Sequence, residues 1–130
     1  MNRIEQAIKE ALVDGQLPCE AAFAAATSLD IAPIEVGMEA DRIGIRLSCC
    51  QLGLFGYGPK AEGKHRRVKP LLDAPPNLAK GIRAALGADG KLSCAEAWRI
   101  ADRLHLSRQT VSDAVEGLGL RISQCQLGAF

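Results

Sequence analysis

The chain has 130 residues, 48% of them hydrophobic and 24% charged, with a net charge of +1 and five cysteines. No apolar run approaches the roughly 20 residues that a membrane-spanning helix needs, and an odd number of scattered cysteines does not read as a secreted disulfide framework. MNRIEQAIKEAL at the start interleaves charge with apolar residues rather than forming a signal peptide's apolar stretch, so the expected setting is the cytoplasm, with no membrane contact.

The small net charge conceals an asymmetry. Residues 1–57 carry four basic and eight acidic side chains, residues 58–76 five and two, and residues 77–130 seven and five. A negatively charged partner should therefore prefer the middle and the end of the chain.

In chain order, Ile4, Ile8, Ala11 and Leu12 have helical spacing, and Gly15 is expected to end that helix. Pro18 then suits the first position of a second helix, whose stripe is Ala22, Phe23, Ala26 and Leu29; its small alanines let another helix approach. After the break DIAP, Pro33 opens a third helix built on Val36, Ala40 and Ile43, and Gly44 closes it. Ile45, Leu47 and Cys49 alternate with Arg46 and Ser48, the period of a strand. GYGPKAEGK is rich in turn formers and leads into HRRVKPLL, which predicts a hairpin with a basic returning strand.

The same order then repeats. Seventeen residues recur 75 positions later, among them Cys19, Ala22, Ala26, Val36, Gly44, Cys50, Gln51, Leu52 and Gly53 as Cys94, Ala97, Ala101, Val111, Gly119, Cys125, Gln126, Leu127 and Gly128. The second copy's first helix carries Leu78, Ile82, Ala85 and Leu86, with Gly90 after it, and its second opens on Ser93 with Glu96 three residues on, a capping box. Ser107 is placed to cap its third helix, and Leu120 and Ile122 begin its strand. That strand has no returning partner after it, so it is expected to finish on an edge, on the other copy or on a second molecule, the last giving a homodimer. The expected domains are a repeat over 1–57, a basic hairpin and linker over 58–76, and a second repeat over 77–130. Each repeat is near the lower size limit for an independent core.

Three helices followed by a hairpin outline a winged helix, so the expected fold is mainly α with small β hairpins, in two tandem winged-helix-like repeats. The stretch LSCAEAWRIADRLHLSRQTVSDAVEGLGL, residues 92–120, resembles the helix-turn-helix of bacterial transcription regulators of the LysR and MarR type. The features that carry it are Ala101 where two helices touch, Leu106 in the turn, Ser107 as cap, and Val111 with Val115 on the next helix. The resemblance implies a helix presented to the major groove by its first residues. Ser107, Arg108, Gln109, Thr110 and Ser112 are then the candidate readers, since Arg can bind guanine and Gln adenine through paired hydrogen bonds. Lys64, Arg66, Arg67 and Lys69, with His65, Lys91, Arg99 and Arg103, are candidates for phosphate. Asp113 and Glu116 oppose that reading, because they would repel the nucleic-acid backbone. In the first copy Glu35, Glu39 and Asp41 make the corresponding helix a poor surface for DNA and a better one for docking a protein.

The expected function is accordingly a DNA-binding transcription regulator or DNA-associated factor. The alternative is a non-enzymatic adaptor of tandem winged helices that binds protein through its first repeat. Cys19, Cys50, Cys94 and Cys125 recur in pairs and are a candidate four-thiolate site for zinc or an iron-sulfur cluster, weighed against their use as small apolar filler. No phosphate-cradling glycine loop, nucleophile-base order or carboxylate pair is seen, and no enzymatic activity is expected.

Overall fold

The computed structural model describes residues 2–130 and is mainly helical, with six α-helices and four two-residue strands among the described residues. The elements are α1 (Arg3–Ala11), β1 (Leu17–Pro18), α2 (Cys19–Leu29), α3 (Pro33–Arg42), β2 (Leu47–Ser48), α4 (Pro76–Ala85), β3 (Leu92–Ser93), α5 (Cys94–Leu104), α6 (Arg108–Gly117) and β4 (Ile122–Ser123). Among the described residues no single helix is long and apolar enough to cross a membrane.

The helix starts follow local chemistry. Asn2 Oδ1 accepts the Glu5 N–H at 2.7 Å, Ser93 Oγ the Glu96 N–H at 3.2 Å, and Ser107 Oγ the Thr110 N–H at 3.0 Å, each satisfying a donor that the first turn leaves open. Pro33 occupies the first turn of α3, and the Glu35 carboxylate accepts the Ala32 N–H at 3.0 Å. α2 and α5 end alike: Asp30 (φ 55°) and His105 (φ 57°) turn left-handed, and the next residues, Ile31 and Leu106, donate back to Ala26 and Ala101 at 3.0 and 2.9 Å.

α1 and α4 stop earlier than expected, at Ala11 and Ala85, with Leu12 and Leu86 as C-caps. Gly15 and Gly90 instead lie in the following turns, at φ 77° and 75°. Those turns explain a slip in the repeat. Val13 and Gln16 bond each other around a tight turn, whereas Gly87 bonds Lys91, so the second turn holds one more residue and the register moves from 74 to 75.

The strands correct one expectation outright. β2 does not return as a hairpin; it pairs in parallel with β1, Leu17 opposite Leu47, and β4 pairs in parallel with β3, Leu92 opposite Ile122. The cause is the residue after each short strand: Cys49 (φ 48°) and Gln124 (φ 52°) are left-handed and turn the chain away before a hairpin can form. β4 thus has a partner, β3, inside its own unit. The linker carries a single 3-10 turn, Lys60–Glu62, closed by Gly63, rather than a basic strand.

The chain divides into two compact units, each taking a short segment from the other repeat's sequence. The first comprises the described residues up to 51, residues 55–66 and residues 126–129; the second comprises residues 52–54, 67–125 and 130. The core of the first is Ile8, Leu17, Ala22, Ala26, Val36, Ala40 and Leu127, and that of the second Leu52, Leu78, Ile82, Leu92, Ala97, Ile100, Ala101, Val111 and Val115. The alanines sit buried where α2 meets α3 and α5 meets α6, as their size requires.

Candidate functional site

The expected helix-turn-helix would use the start of α6. Its start is well built: Ser107 caps it, and the Ser107 and Thr110 hydroxyls lie 2.7 Å apart. The groups expected to face a nucleic acid are nevertheless engaged with this chain. The Arg108 guanidinium lies 3.5 Å from the centroid of the Trp98 ring and 4.0 Å from Asp102 Oδ1, a stacked cation-π arrangement. Gln109 Nε2 donates to the Arg67 carbonyl at 3.0 Å, and its side chain packs beside Gly53. Ser112 is 1% exposed, and its hydroxyl has no hydrogen-bond partner among the described residues. It faces inward and is withdrawn from the set of candidate readers.

Asp113, which counted against DNA contact, has a structural task. Its Oδ1 accepts the Lys69 N–H at 3.0 Å and its backbone carbonyl the Leu71 N–H at 2.9 Å. One turn on, Gly117 leaves room for the Leu71 carbonyl, which a Cβ at that position would overlap. Residues 67, 69 and 71 therefore meet α6 in alternation, the period of an extended chain, and lie along a stripe at positions 109, 113 and 117. Every residue of α6 is buried or half-buried.

Arg67 and Lys69 make this contact through their main chain. Lys64, Arg66, Arg67 and Lys69 are exposed, with Lys64 Nζ 3.8 Å from a Glu62 carboxylate oxygen. His65 is half-buried, and its carbonyl accepts the Tyr57 N–H.

The first unit presents the same helix differently. At the positions matching Gln109 and Asp113, α3 has Ile34 and Met38, 41% and 65% exposed. They border a groove of about 410 Å³ that is also lined by Gly37, Asp41, Phe55 and Leu127. Gly37 is needed there because a Cβ would strike the Leu127 carbonyl. Arg42, at the position matching Gly117, bonds Glu39 and reaches Glu5 at 3.0 Å. The hydrogen bond from Arg42 holds the Glu39 carboxyl below its ordinary range, and the same bond raises the Arg42 guanidinium.

Cys19 and Cys50 belong to the first unit, Cys94 and Cys125 to the second, and among the described residues no three His, Cys, Asp or Glu side chains are grouped to hold a metal ion. Strict alternation would have turned Cys50 and Cys125 outward. The left-handed residues before them reverse that, leaving Cys50 buried and Cys125 half-buried. Gln51 Nε2 lies 3.7 Å from Cys19 Sγ.

Reading the sequence alone missed Met38, Ile34, Gly37 and Gly117. The signal available was a glycine inside each third helix, since a helical interior disfavours glycine unless backbone must come close. No family model, curated protein or solved structure matches the chain.

Proposed function

We propose that the protein is a non-enzymatic adaptor of two tandem winged-helix-like repeats whose third helices bind extended polypeptide. The observation that carries this reading is the seat of residues 67–71 on α6, through Gln109, Asp113 and the space at Gly117. A face that holds backbone by alternate hydrogen bonds does the work of a peptide-recognition surface. Reading DNA with the same stripe requires that segment to leave and Gln109 to give up its carbonyl partner. Fold alone does not choose between these uses; occupancy of the stripe favours polypeptide.

Titration of a mixed-sequence duplex at about 50 mM salt, where phosphate contacts count most, tests the proposal. The expected result is retention no stronger than the exposed Lys64, Arg66, Arg67 and Lys69 supply, without sequence preference and unchanged by Gln109→Ala. Sequence-selective binding that Gln109→Ala abolishes would overturn it in favour of a DNA-binding regulator.

A further inference from the structure

We propose that the groove beside α3 is a binding site for a free α-amino acid with a large apolar side chain, its ammonium group at Asp41 and its carboxylate at Arg46. The inference goes beyond the polypeptide-binding reading: the occupant is a small molecule, and it would compete with any polypeptide for Ile34 and Met38.

Three observations lead to that ligand. First, the groove has the size for one. It holds about 410 Å³, within the roughly 300–1,000 Å³ of small-molecule sites, and is formed wholly by residues of the first unit. Second, it carries charges of both signs at one end. Asp41 lies at the close of α3, and the Ile45 N–H donates to the Ala40 carbonyl at 2.8 Å, which turns the chain back so that Arg46 lines the groove beside it. Among the described residues neither side chain is in an ion pair, so the two charges do not neutralise each other. Third, every other lining side chain is apolar. Along α3 these residues recede from the charged end, Met38 about one turn and Ile34 about two turns before Asp41.

An α-amino acid has the matching shape. Its ammonium and carboxylate sit on one carbon, and its side chain leads away from both. The planar guanidinium fork of Arg46 suits a carboxylate, and Asp41 accepts from an ammonium. A dipeptide fits less well, because its charges stand up to about 7 Å apart at opposite ends. One of them would lie among the apolar residues, where an unpaired charge is costly.

The second unit offers a contrast within the same chain. It keeps both charges, as Glu116 and Arg121, but Gln109 and Asp113 stand where Ile34 and Met38 do. The main chain of Arg67 and Lys69 is bonded to those two side chains. Binding is therefore expected in the first unit alone.

The test titrates L-leucine, L-methionine and L-phenylalanine separately into the full chain and follows backbone amide shifts. At least one should reach half-saturation at about 1 mM or below, with shifts at Met38, Asp41 and Arg46, whereas glycine, which lacks the apolar side chain, should not. Asp41 and Arg46 are exposed, so each contact is screened, and removing either charge of the ligand should weaken binding about threefold or more. For phenylalanine the probes are 3-phenylpropionate and phenethylamine, which keep the test independent of how any variant folds. Asp41→Asn and Arg46→Gln should weaken the parent amino acid to the same degree. No saturation by any of the three at about 10 mM, shifts confined to α6, or analogues lacking one charge that bind as tightly as the parent would each overturn the assignment.

Discussion

On α6 the stripe at positions 109, 113 and 117 is Gln, Asp and Gly, and an extended segment lies bonded along it; on α3 the matching stripe is Ile34, Met38 and Arg42, and the two apolar residues stand in the open. The helices bury matching positions, Val36 with Val111 and Ala40 with Val115. The stripe positions lie four residues apart on one outer face. A polar donor, a carboxylate and a missing side chain make α6 a receiver of backbone. On α3 an exposed apolar pair and an arginine tied to Glu39 and Glu5 stand at those positions instead. Duplication preserved the packing and let the outer stripe diverge, so the repeats are alike as folds and unlike as surfaces.

The largest effect concerns the short segments that complete each unit. Leu52 and Leu127 match each other in the repeat and are 0% and 2% exposed, yet Leu52 belongs to the second unit and Leu127 to the first. Either change to alanine should cost about 2–5 kcal/mol in a urea melt. Amide exchange should rise first in the second unit for Leu52→Ala and in the first for Leu127→Ala; the opposite pattern would place each leucine with its own repeat.

Gly117→Ala comes next. A free helix should gain up to about 1 kcal/mol from that change, but the new Cβ meets the Leu71 carbonyl, and relief of such overpacking costs about 1–3 kcal/mol. Net destabilisation with faster exchange of the Lys69 and Leu71 amides is expected, and net stabilisation would mean that the segment does not lie there. Asp113→Ala removes the acceptor for Lys69 and should cost about 1 kcal/mol by thermal melting; in the first unit Met38→Ala, at an exposed site, should change stability by less than about 0.5 kcal/mol.

The smallest effect is electrostatic and belongs to α3. Because Arg42 holds the Glu39 carboxyl below its ordinary value, the unfolded chain takes up a proton at Glu39 before the folded one does. The associated stability is present above the unfolded carboxyl's value and is lost as pH falls through the folded one. Glu39→Gln should therefore lose less melting temperature on acidification than the parent, and an identical loss would show the pair to be idle.

Much of the fold could be read from residue patterns, and much of the surface could not. Ser107, Ser93 and Pro33 announced helix starts through chemistry confined to one turn, and the alanines at 22, 26, 97 and 101 announced close helix contacts. The hairpin was misread because alternation at residues 45–49 carries no sign that Cys49 adopts a left-handed backbone, a state uncommon for any residue but glycine, asparagine or aspartate. The same turn reversed the expected facing of Cys50. Arg108 and Gln109 were rightly placed at the start of a capped helix, but what lies over them is set by residues 67–71, some 40 positions away. Local spacing has no access to a contact of that range.

Hydrogen exchange at the Lys69 and Leu71 amides tests the central claim most directly. If residues 67–71 are seated on α6, both amides are protected in the intact protein, lose protection on Asp113→Ala, and are unmoved by added duplex DNA. Exchange at the rate of an unstructured chain, or protection that duplex DNA removes, would contradict the account and return α6 to the role of a groove-reading helix.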